Sequence, residues 1–498
     1  MGKYLTAIDL GSSKIAVAAG LRTETGIRIA SYHDAPSSGI THGEILNDFQ
    51  VESVIKELVA AVAEDIDEEI TDVVVGIGAK ILHSDTKIFT TTRALPQSTI
   101  SDTEIDEISR KRFNTHNAND EVVLEAVPQR YNVDDYIGLD AGSLKGMSGK
   151  EIETQFHLVF GKADIMSRRR KILDKCGLTM RKAILSPIAA ARAVMTEPEM
   201  ENGAILVDIG KGTTEIVVVK DNLVREVATI PFGGESITQD IKNVTNITAK
   251  WAEDVKTSRG CCVEDDVPEN SKFILKDADS NTVSEIDGNL LARVIEARTA
   301  EILEAVRYTI DNSPFSAKLP AGVVLTGGTA HLGSIRQLAQ AILGRKVRLA
   351  APRTSIASGS VEDSYDTYAS VAVGLVLEGF EPQLSHAVSI LKKSEAAPEA
   401  HADSSSKNNG GGLFKSIFGS GESDEDKQAR KEAEKKKEED ERKRKEEEKA
   451  RKEEEKKRKA EEKRLKEQKA REEKEAQHNN GWGDLFSGLT SNPENDNV

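Results

Sequence analysis

Two stretches of this chain share a pattern that constrains its fold: an apolar strand, a glycine turn that begins after an aspartate, and a second apolar strand. The first reads AIDLGSSKIAVAAG from Ala7, and the second reads LVDIGKGTTEIVVV from Leu206. A separation of about 200 residues is too long for a solenoid repeat and is typical of a duplicated domain. The sequence therefore predicts two similar lobes.

Strands and helices alternate along most of the chain. Short β-branched runs that end in or before glycine include Thr71–Gly78 and Ala321–Thr326, and helical patterns include Val51–Asp65 and Asn289–Asn312. This order is expected of an α/β protein with mixed sheets. At 498 residues, the chain also exceeds the size at which one core keeps growing, so several compact lobes are expected.

Composition excludes several classes of protein. The three cysteines form no CxxC pair, which suits a reducing compartment, and no signal peptide is predicted at the N-terminus. No apolar run reaches the roughly 18 residues that a membrane span needs. The net charge is −16, whereas residues 422–478 carry 22 acidic and 23 basic residues, so the excess of negative charge lies in the globular part. Nucleic-acid binding through a basic patch is therefore disfavoured.

The two glycine turns carry the chemistry expected of a polyphosphate site. Glycines let the backbone approach phosphates, hydroxyls and N–H groups donate hydrogen bonds, and Asp9 and Asp208 end strands that would face Mg²⁺. One such turn alone is a common hairpin. A third glycine turn, Thr326–Thr329, follows an apolar strand, and its adjacent glycines would let an adenine and ribose lie against the backbone. Together the three turns predict a nucleotide site.

The order of these turns, followed by the segment Ala369–Leu375, resembles the actin, Hsp70 and hexokinase superfamily, in which ATP lies between two domains. The resemblance implies ATP and Mg²⁺ as ligands, with the metal held through water by Asp9 and Asp208. It implies a nucleotide site made of these aspartates with Gly11, Ser12, Ser13, Lys14, Gly210, Lys211, Gly212, Thr213, Thr214, Gly327, Gly328 and Thr329, and with Glu253 and Lys256 near the adenosine.

Two residues depart from the superfamily pattern. Lys211 stands where relatives commonly have glycine, and Glu215 stands where aspartate is usual; Lys211 would either bind charge beside the γ-phosphate or point to solvent. The segment Leu185–Ala190, where relatives often carry a residue that orients water, offers no carboxylate or amide. Ser186 is its one candidate for positioning water, so we expect at most a slow ATPase.

An insertion between about Leu82 and Ile165 distinguishes the branches of the superfamily. It contains VPQRYNVD from Val127 and GMSGKEIE from Gly146. Their residue types alone predict a strand and a glycine turn. Both strings resemble patterns of the domain peculiar to FtsA. The chain is thus similar to the FtsA family from residue 1 to about 380, with PilM-type pilus proteins as the nearest alternative. A true ATPase or phosphotransferase of the superfamily is a further alternative.

The resemblance implies an actin-like (ribonuclease H-like) two-lobed fold with a small FtsA-specific insertion and a charged tail. The first lobe would comprise 1–84, 164–200 and 353–386, with the inserted domain at 85–163. The second lobe would comprise 201–231 and 299–352, around a small FtsZ-binding subdomain at 232–298. A linker at 387–411, an amphipathic segment at 412–419, a helical or disordered spacer at 422–478 and a second amphipathic segment at 481–490 would follow.

The two amphipathic segments predict contact with a membrane. Apolar residues fall on one side of a short helix in each: Leu413, Phe414, Ile417 and Phe418 in the first, and Trp482, Leu485, Phe486 and Leu489 in the second. Such stripes outside a globular domain are typical of interfacial anchors, although a peptide that docks in a protein groove has the same pattern. The second segment carries Asp484 and no Lys or Arg, which weakens its attraction to anionic lipid.

For function, the resemblance implies an ATP-binding protein that forms filaments and tethers the FtsZ ring to the membrane. Its implied partners are the C-terminal tail peptide of FtsZ, other copies of itself, the anionic membrane surface and later division proteins. Its implied location is peripheral, on the cytoplasmic face of the inner membrane at the division septum. ATP would act mainly as a structural ligand that sets a polymerisation-competent shape.

Overall fold

A computed structural model describes residues 4–115, 121–276, 282–353 and 359–381. The chain divides into two units, Met1–Glu399 and Ala400–Val498, and every described residue belongs to the first. The predictions for the linker, the spacer and both amphipathic segments lie outside the described residues. Among the described helices, none has the length and apolar character needed to cross a membrane.

The elements are numbered in chain order. The strands are β1 Leu5–Leu10, β2 Lys14–Thr23, β3 Gly26–Pro36, β4 Ile40–Thr41, β5 Glu44–Ile45, β6 Asp72–Ile77, β7 His83–Thr92, β8 Glu121–Val133, β9 Tyr136–Leu139, β10 Glu151–Lys162, β11 Thr179–Leu185, β12 Ala204–Ile209, β13 Thr214–Lys220, β14 Leu223–Ile230, β15 Lys272–Lys276, β16 Thr282–Asp287, β17 Val323–Thr326 and β18 Val347–Leu349. The helices are α1 Asp48–Ile66, α2 Asp102–Arg112, α3 Ala141–Leu144, α4 Asp164–Lys175, α5 Ser186–Val194, α6 Glu197–Asn202, α7 Gly234–Thr245, α8 Ala249–Arg259, α9 Gly288–Asp311, α10 Ile335–Leu343 and α11 Ser370–Phe380. Short 3-10 turns include Gly328–His331 and Thr367–Ala369.

Two five-stranded sheets have the same topology. The first has the order β3-β2-β1-β6-β11 and the second the order β14-β13-β12-β17-β18. In both sheets the first two pairings are antiparallel and the last two are parallel. This shared order confirms the duplication that the two glycine hairpins predicted.

Both faces of the second sheet are covered. Along β12, Leu206 packs into the cluster that contains the first sheet, whereas Ile205, Val207 and Ile209 pack into the cluster of the second lobe. Successive side chains of a strand point to opposite faces, so this alternation places the strand between two apolar layers. A strand buried on both faces explains why the run AILVDI is almost wholly apolar.

Helix α1 covers the first sheet with an apolar stripe of Val51, Ile55, Leu58, Val62 and Ile66. Its N-terminus is capped by the side chain of Asn47, which accepts a hydrogen bond from the backbone N–H of Gln50. Helices α5 and α11 cross in close contact on another part of the same sheet.

A glycine permits that close crossing. A Cβ at Gly374 in α11 would lie 1.8 Å from the carbonyl oxygen of Ala189 in α5. Any residue with a Cβ at position 374 would push the two helices apart, so glycine is required for this packing.

The insertion forms its own four-stranded sheet of order β7-β10-β8-β9. The predicted strand Val127–Asp134 falls within and just beyond β8, and the predicted glycine turn at Gly146 precedes β10. This sheet contacts the second lobe, because Ser84 Oγ donates to the carbonyl of Val227 at 2.8 Å and accepts from its N–H at 2.9 Å. These two hydrogen bonds hold the inserted sheet against the second lobe.

Candidate nucleotide-binding site

The two glycine turns have the same geometry. The N–H of Gly11 donates to the carbonyl of Lys14 at 3.1 Å, and the N–H of Gly210 donates to the carbonyl of Thr213 at 2.9 Å. In each hairpin four residues separate the last paired positions of the two strands. The strand ends therefore present both turns, with their backbone N–H groups, in the same way.

The structure brings the two turns into contact. A Cβ at Gly212 would lie 3.0 Å from Ser12 Oγ and 2.9 Å from the backbone nitrogen of His42. Ser12 Oγ itself accepts a hydrogen bond from the N–H of Gly43 at 2.9 Å. A cleft of about 250 Å³ opens beside this contact, lined in part by His42, Gly212 and Gly233. Two turns that lie about 200 residues apart in the sequence thus meet in the structure.

The third glycine turn lies directly against the second one. Gly327 has a φ of +92°, and a Cβ there would lie 2.2 Å from Asp208 Oδ1 and 2.7 Å from the carbonyl oxygen of Ile209. Thr329 Oγ1 donates to the carbonyl of Gly210 at 3.3 Å. Only glycine suits position 327, whereas a Cβ at Gly328 would meet no atom within 4 Å and faces open space.

Lys256 and Glu253 adjoin this turn from α8. Lys256 is 5% exposed, and its Nζ donates to Thr238 Oγ1 and to Glu253 Oε2, each at 2.8 Å, and to the carbonyl of Gly234 at 3.1 Å. Burial lowers the pKa of Lys256, an effect that the neighbouring Glu253 carboxylate opposes. The predicted adenosine-side pair therefore lies beside the glycine turn, with the lysine already paired within the protein.

Three carboxyl groups gather where the turns meet. Burial raises the pKa of Asp9 to about 6. The pKa of Asp208 is raised to about 7 by burial and by the negative charge of the nearby Asp9. Burial and then Asp208 and Asp9 raise the pKa of Glu215 well above its ordinary value. Asp208 and Glu215 are 8% and 7% exposed. Within the part of the chain that the structure describes, no three acidic, histidine or cysteine side chains are close enough to hold a metal directly.

Arg169 in α4 is a residue of this site that the sequence did not single out. It is 2% exposed, and its guanidinium donates to the carbonyls of Gly43 at 3.2 Å, Gly76 at 3.1 Å and Gly78 at 2.7 Å. Its positive charge also acts on Asp9 and Glu215, lowering the pKa of each against the effect of burial. Arg169 thus holds the loops that support the first turn and partly neutralises the carboxyl cluster.

Both lysines of the turns pair with protein groups in this structure. Lys14 Nζ donates to Tyr32 Oη at 2.5 Å, lies 3.6 Å from Asp34 Oδ1, and sits 4.6 Å above the ring of Tyr368. Lys211 Nζ lies 3.5 Å from Glu235 Oε2. The side chain of Lys211 therefore forms a partly exposed ion pair with Glu235 in this structure.

The two hydroxyls at the edges of the site differ. Thr214 Oγ1 donates to the carbonyl of Phe232 at 2.9 Å, so it is used within the protein. Ser186 lies beside the carboxyl cluster, since a Cβ at Gly76 would be 2.9 Å from Ser186 Oγ and 3.4 Å from Asp9 Oδ1. Glu215 reaches the same place, because its Oε1 and Ser186 Oγ both lie near Gly78. Glu215 of β13 thus supplies a carboxyl group, which the segment 185–190 lacks.

Comparisons with known proteins agree with the resemblance in the sequence. A family model described as "Cell division protein FtsA" matches residues 205–374. The "Cell division protein FtsA" of Neisseria meningitidis serogroup B is 29% identical, over 76% of this chain and 92% of that protein. The protein of the same name from Pseudomonas aeruginosa is 28% identical, over 80% of this chain and 95% of that protein.

A solved structure, the "PilM-PilN type IV pilus biogenesis complex", has a TM-score of 0.55 with 16% identity, over 76% of this chain and 99% of that chain. At this identity the likeness is one of fold, and it confirms the predicted fold class. The resemblance to FtsA is confirmed, and the PilM alternative is not favoured.

Proposed function

We propose, for a chain that is similar to the FtsA family of cell division proteins over about four fifths of its length, that it binds ATP with Mg²⁺ and tethers FtsZ polymers to the cytoplasmic membrane. One observation carries the nucleotide half of the proposal. Two matched glycine turns and a third glycine turn converge on a cluster of three carboxyl groups. A metal ion bound together with a nucleotide would supply the positive charge that compensates such a cluster.

Asp9 and Asp208 are the residues that would hold Mg²⁺, largely through water. Burial raises the pKa of both groups even though Lys14 and Arg169 act on Asp9 in the opposite direction, so added positive charge would stabilise their ionised forms. A hydrated divalent cation suits such a site, because Mg²⁺ usually keeps several waters and takes few carboxylate ligands. Backbone N–H groups of the two turns would donate hydrogen bonds to the phosphates, and Gly328, which faces open space, would border the adenosine.

The carboxyl cluster predicts a pH dependence of the metal-free protein. Asp208 has a folded pKa of about 7 against an ordinary 3.8, so the folded state retains a proton that the unfolded chain loses. The retained proton therefore contributes to the stability of the folded state below about pH 4, and this contribution is lost as pH rises through about 7. We expect Asp208→Asn to unfold at a higher temperature than the natural protein at pH 8 in EDTA, and the difference to shrink towards pH 5.

The matched control for this prediction is Asp221→Asn, an exposed aspartate that pairs with Arg225. Its thermal unfolding should show no comparable advantage at pH 8. Asp208→Asn should in addition lose Mg²⁺-dependent ATP binding. Equal unfolding temperatures of the natural protein and Asp208→Asn across this pH range would contradict the assignment.

Hydrolysis is proposed to be slow. Ser186 and Glu215 lie beside the carboxyl cluster, but burial and then the neighbouring Asp208 and Asp9 raise the pKa of Glu215, which disfavours the ionised form that a general base needs. A true ATPase or phosphotransferase is the competing function. Rapid phosphate release, or phosphoryl transfer to a metabolite, would support that alternative.

The tethering half of the proposal rests on the family resemblance and on the two amphipathic segments at 412–419 and 481–490. The chain would bind the tail peptide of FtsZ through residues 232–298, polymerise with other copies, and recruit later division proteins at the septum. Each segment buries few apolar groups and should bind weakly alone. Polymerisation would multiply the anchors and convert weak contacts into avid attachment.

Co-sedimentation with anionic liposomes tests the anchors. We expect the full chain to pellet with liposomes, more strongly with ATP and Mg²⁺, because filaments present many anchors at once. A truncation after Gly421 retains the first segment only, and one after Ala387 retains neither, so pelleting should fall in that order. If all three pellet equally, the anchors lie elsewhere; if none pellets, the amphipathic segments are not membrane anchors.

A further inference from the structure

A second cavity, of about 480 Å³, lies where the chain crosses between its two lobes. The first crossing is α5 and α6, and the second is the stretch between β18 and α11. Met195 and Met200 line the cavity from the first crossing, and Arg353 lines it from the second. Ile27 and Leu377 of the first lobe complete the apolar wall. We call this space the hinge cavity.

The hinge cavity has an apolar floor and the size of a small-molecule site. Ile27, Met195 and Leu377 are 8%, 2% and 3% exposed, so they present only their cavity-facing atoms. Pockets that bind small molecules span roughly 300–1,000 Å³ and combine apolar walls with few polar groups. The hinge cavity has this volume and an apolar floor, and its wall also carries the charged side chains of Arg192, Glu197, Arg353 and Glu381.

The polar groups of the wall include two arginines. Arg353 Nε donates to the carbonyl of Val194 at 3.3 Å, whereas its buried Nη2 has no hydrogen-bond partner among the described residues. The nearby carboxylate of Glu199 is occupied, because Arg348 binds both of its oxygens at 2.6 Å. A buried donor without an acceptor costs free energy, and a ligand oxygen would recover it once the side chain turns this nitrogen, which is sealed from solvent in the structure, towards the cavity.

We propose that the hinge cavity binds an amphipathic anion, with a phosphate or carboxylate on Arg353 and a short apolar body on the floor. Guanidinium groups bind such oxyanions through paired hydrogen bonds. Arg192, whose Nε lies 3.6 Å from Glu378 Oε1, adds a second positive charge to the wall. Glu197 and Glu381 also line the cavity and disfavour a polyphosphate, so the ligand differs from the nucleotide.

The position of the cavity gives the ligand a means of regulation. A molecule that contacts both crossings favours the lobe arrangement in which those contacts are made. Through this linkage it changes the affinity of the proposed nucleotide site, and ATP changes its affinity by the same factor. This consequence, unlike the binding itself, rests on the proposed nucleotide function.

Calorimetric titration of the full chain with octyl phosphate tests the proposal. We expect binding that Arg353→Met weakens by roughly tenfold or more, because a charge-assisted hydrogen-bonded pair is lost. Arg259→Met, which removes an exposed arginine at the end of α8, should bind like the natural chain. Inorganic phosphate, which lacks the apolar body, should bind far more weakly than octyl phosphate.

The natural chain failing to bind octyl phosphate, or binding it as tightly as Arg353→Met does, would overturn the proposal. The amphipathic segments at 412–419 and 481–490 could also attract octyl phosphate, but that binding would not depend on Arg353. Vesicles of phosphatidic acid identify the source of the anion. Weaker vesicle binding by Arg353→Met assigns it to a lipid headgroup, and equal vesicle binding assigns it to a soluble molecule.

A final titration with ATP separates this inference from the proposed function. Saturating octyl phosphate should change ATP affinity in the natural chain and not in Arg353→Met. Absence of any ATP binding would defeat the proposed function while leaving the Arg353-dependent anion site intact. Unchanged ATP affinity in the natural chain would refute the regulatory consequence.

Discussion

Gly327→Ala is expected to abolish ATP binding and to lower the stability of the fold. The new Cβ would lie 2.7 Å from the backbone carbonyl of Ile209, so β12 must shift at the point where it carries Asp208. The φ of +92° adds strain of roughly 1–3 kcal/mol for any residue with a side chain. Equilibrium urea unfolding measures the stability loss, and fluorescence titration with an ATP analogue measures binding.

The neighbouring glycine provides the matched control. Gly328→Ala places its Cβ in open space, so its stability should stay within about 0.5 kcal/mol of the natural chain. Because Gly328 would border the adenosine, this variant should still bind ATP more weakly. Normal ATP binding by Gly327→Ala would contradict the proposed site.

Arg169→Met is expected to destabilise the fold by about 3–5 kcal/mol, since it removes a buried charge that makes four hydrogen bonds to backbone carbonyls. The carbonyls of Gly43, Gly76 and Gly78 would lose their donor, and the carboxyl cluster would lose a buried cation that acts on Asp9 and Glu215. Gly43 supports Ser12 of the first turn, so ATP binding should fall as well. Urea unfolding and ATP titration measure both effects.

The adjacent residue tests whether the effect belongs to position 169. Arg168 lies on the same helix, is half-exposed and pairs with Asp164, so Arg168→Met should cost less than about 1 kcal/mol. Arg169→Lys keeps the charge and loses the planar fork, and it provides a foldable variant if Arg169→Met does not fold. An equal loss of unfolding free energy in Arg169→Met and Arg168→Met would show that Arg169 has no special role.

The sequence predicted the parts of the site that depend on backbone shape. Glycine turns after apolar strands have a local signature, so Gly11, Gly210 and Gly327 were found without the fold. Their convergence was also predictable, because the duplicated hairpins imply equivalent places in two lobes. The structure gives both lobes the same strand order, which is the physical reason that the prediction holds.

Other parts of the site depend on packing between distant elements and have no local signature. Arg169 stands in the run Arg168-Arg169-Arg170-Lys171, in which only the fold determines that one guanidinium is buried. Glu215 was recognised as a departure from the superfamily, but its place beside Asp9 and Ser186 required the contact between the lobes. The pairing of Lys14 with Tyr32 and Asp34 likewise joins β2 to β3.

The inserted sheet contains a strand, β7, that the local sequence pattern does not predict. Strand β7 reads HSDTKIFTTT and alternates between half-buried and exposed residues, so its apolar signal is weak. It forms because β10 pairs with it along ten positions. Pairing of this kind is a property of the neighbouring strand and cannot be read from β7 alone.

Recruitment of FtsZ polymers to anionic liposomes tests the central claim most directly. Fluorescent FtsZ should pellet with the liposomes when the full chain is present, most strongly with ATP and Mg²⁺, and it should stay in solution with the truncation after Ala387. If FtsZ remains in solution while this chain itself pellets with the liposomes, the chain is a membrane protein of another role and the tethering function is wrong.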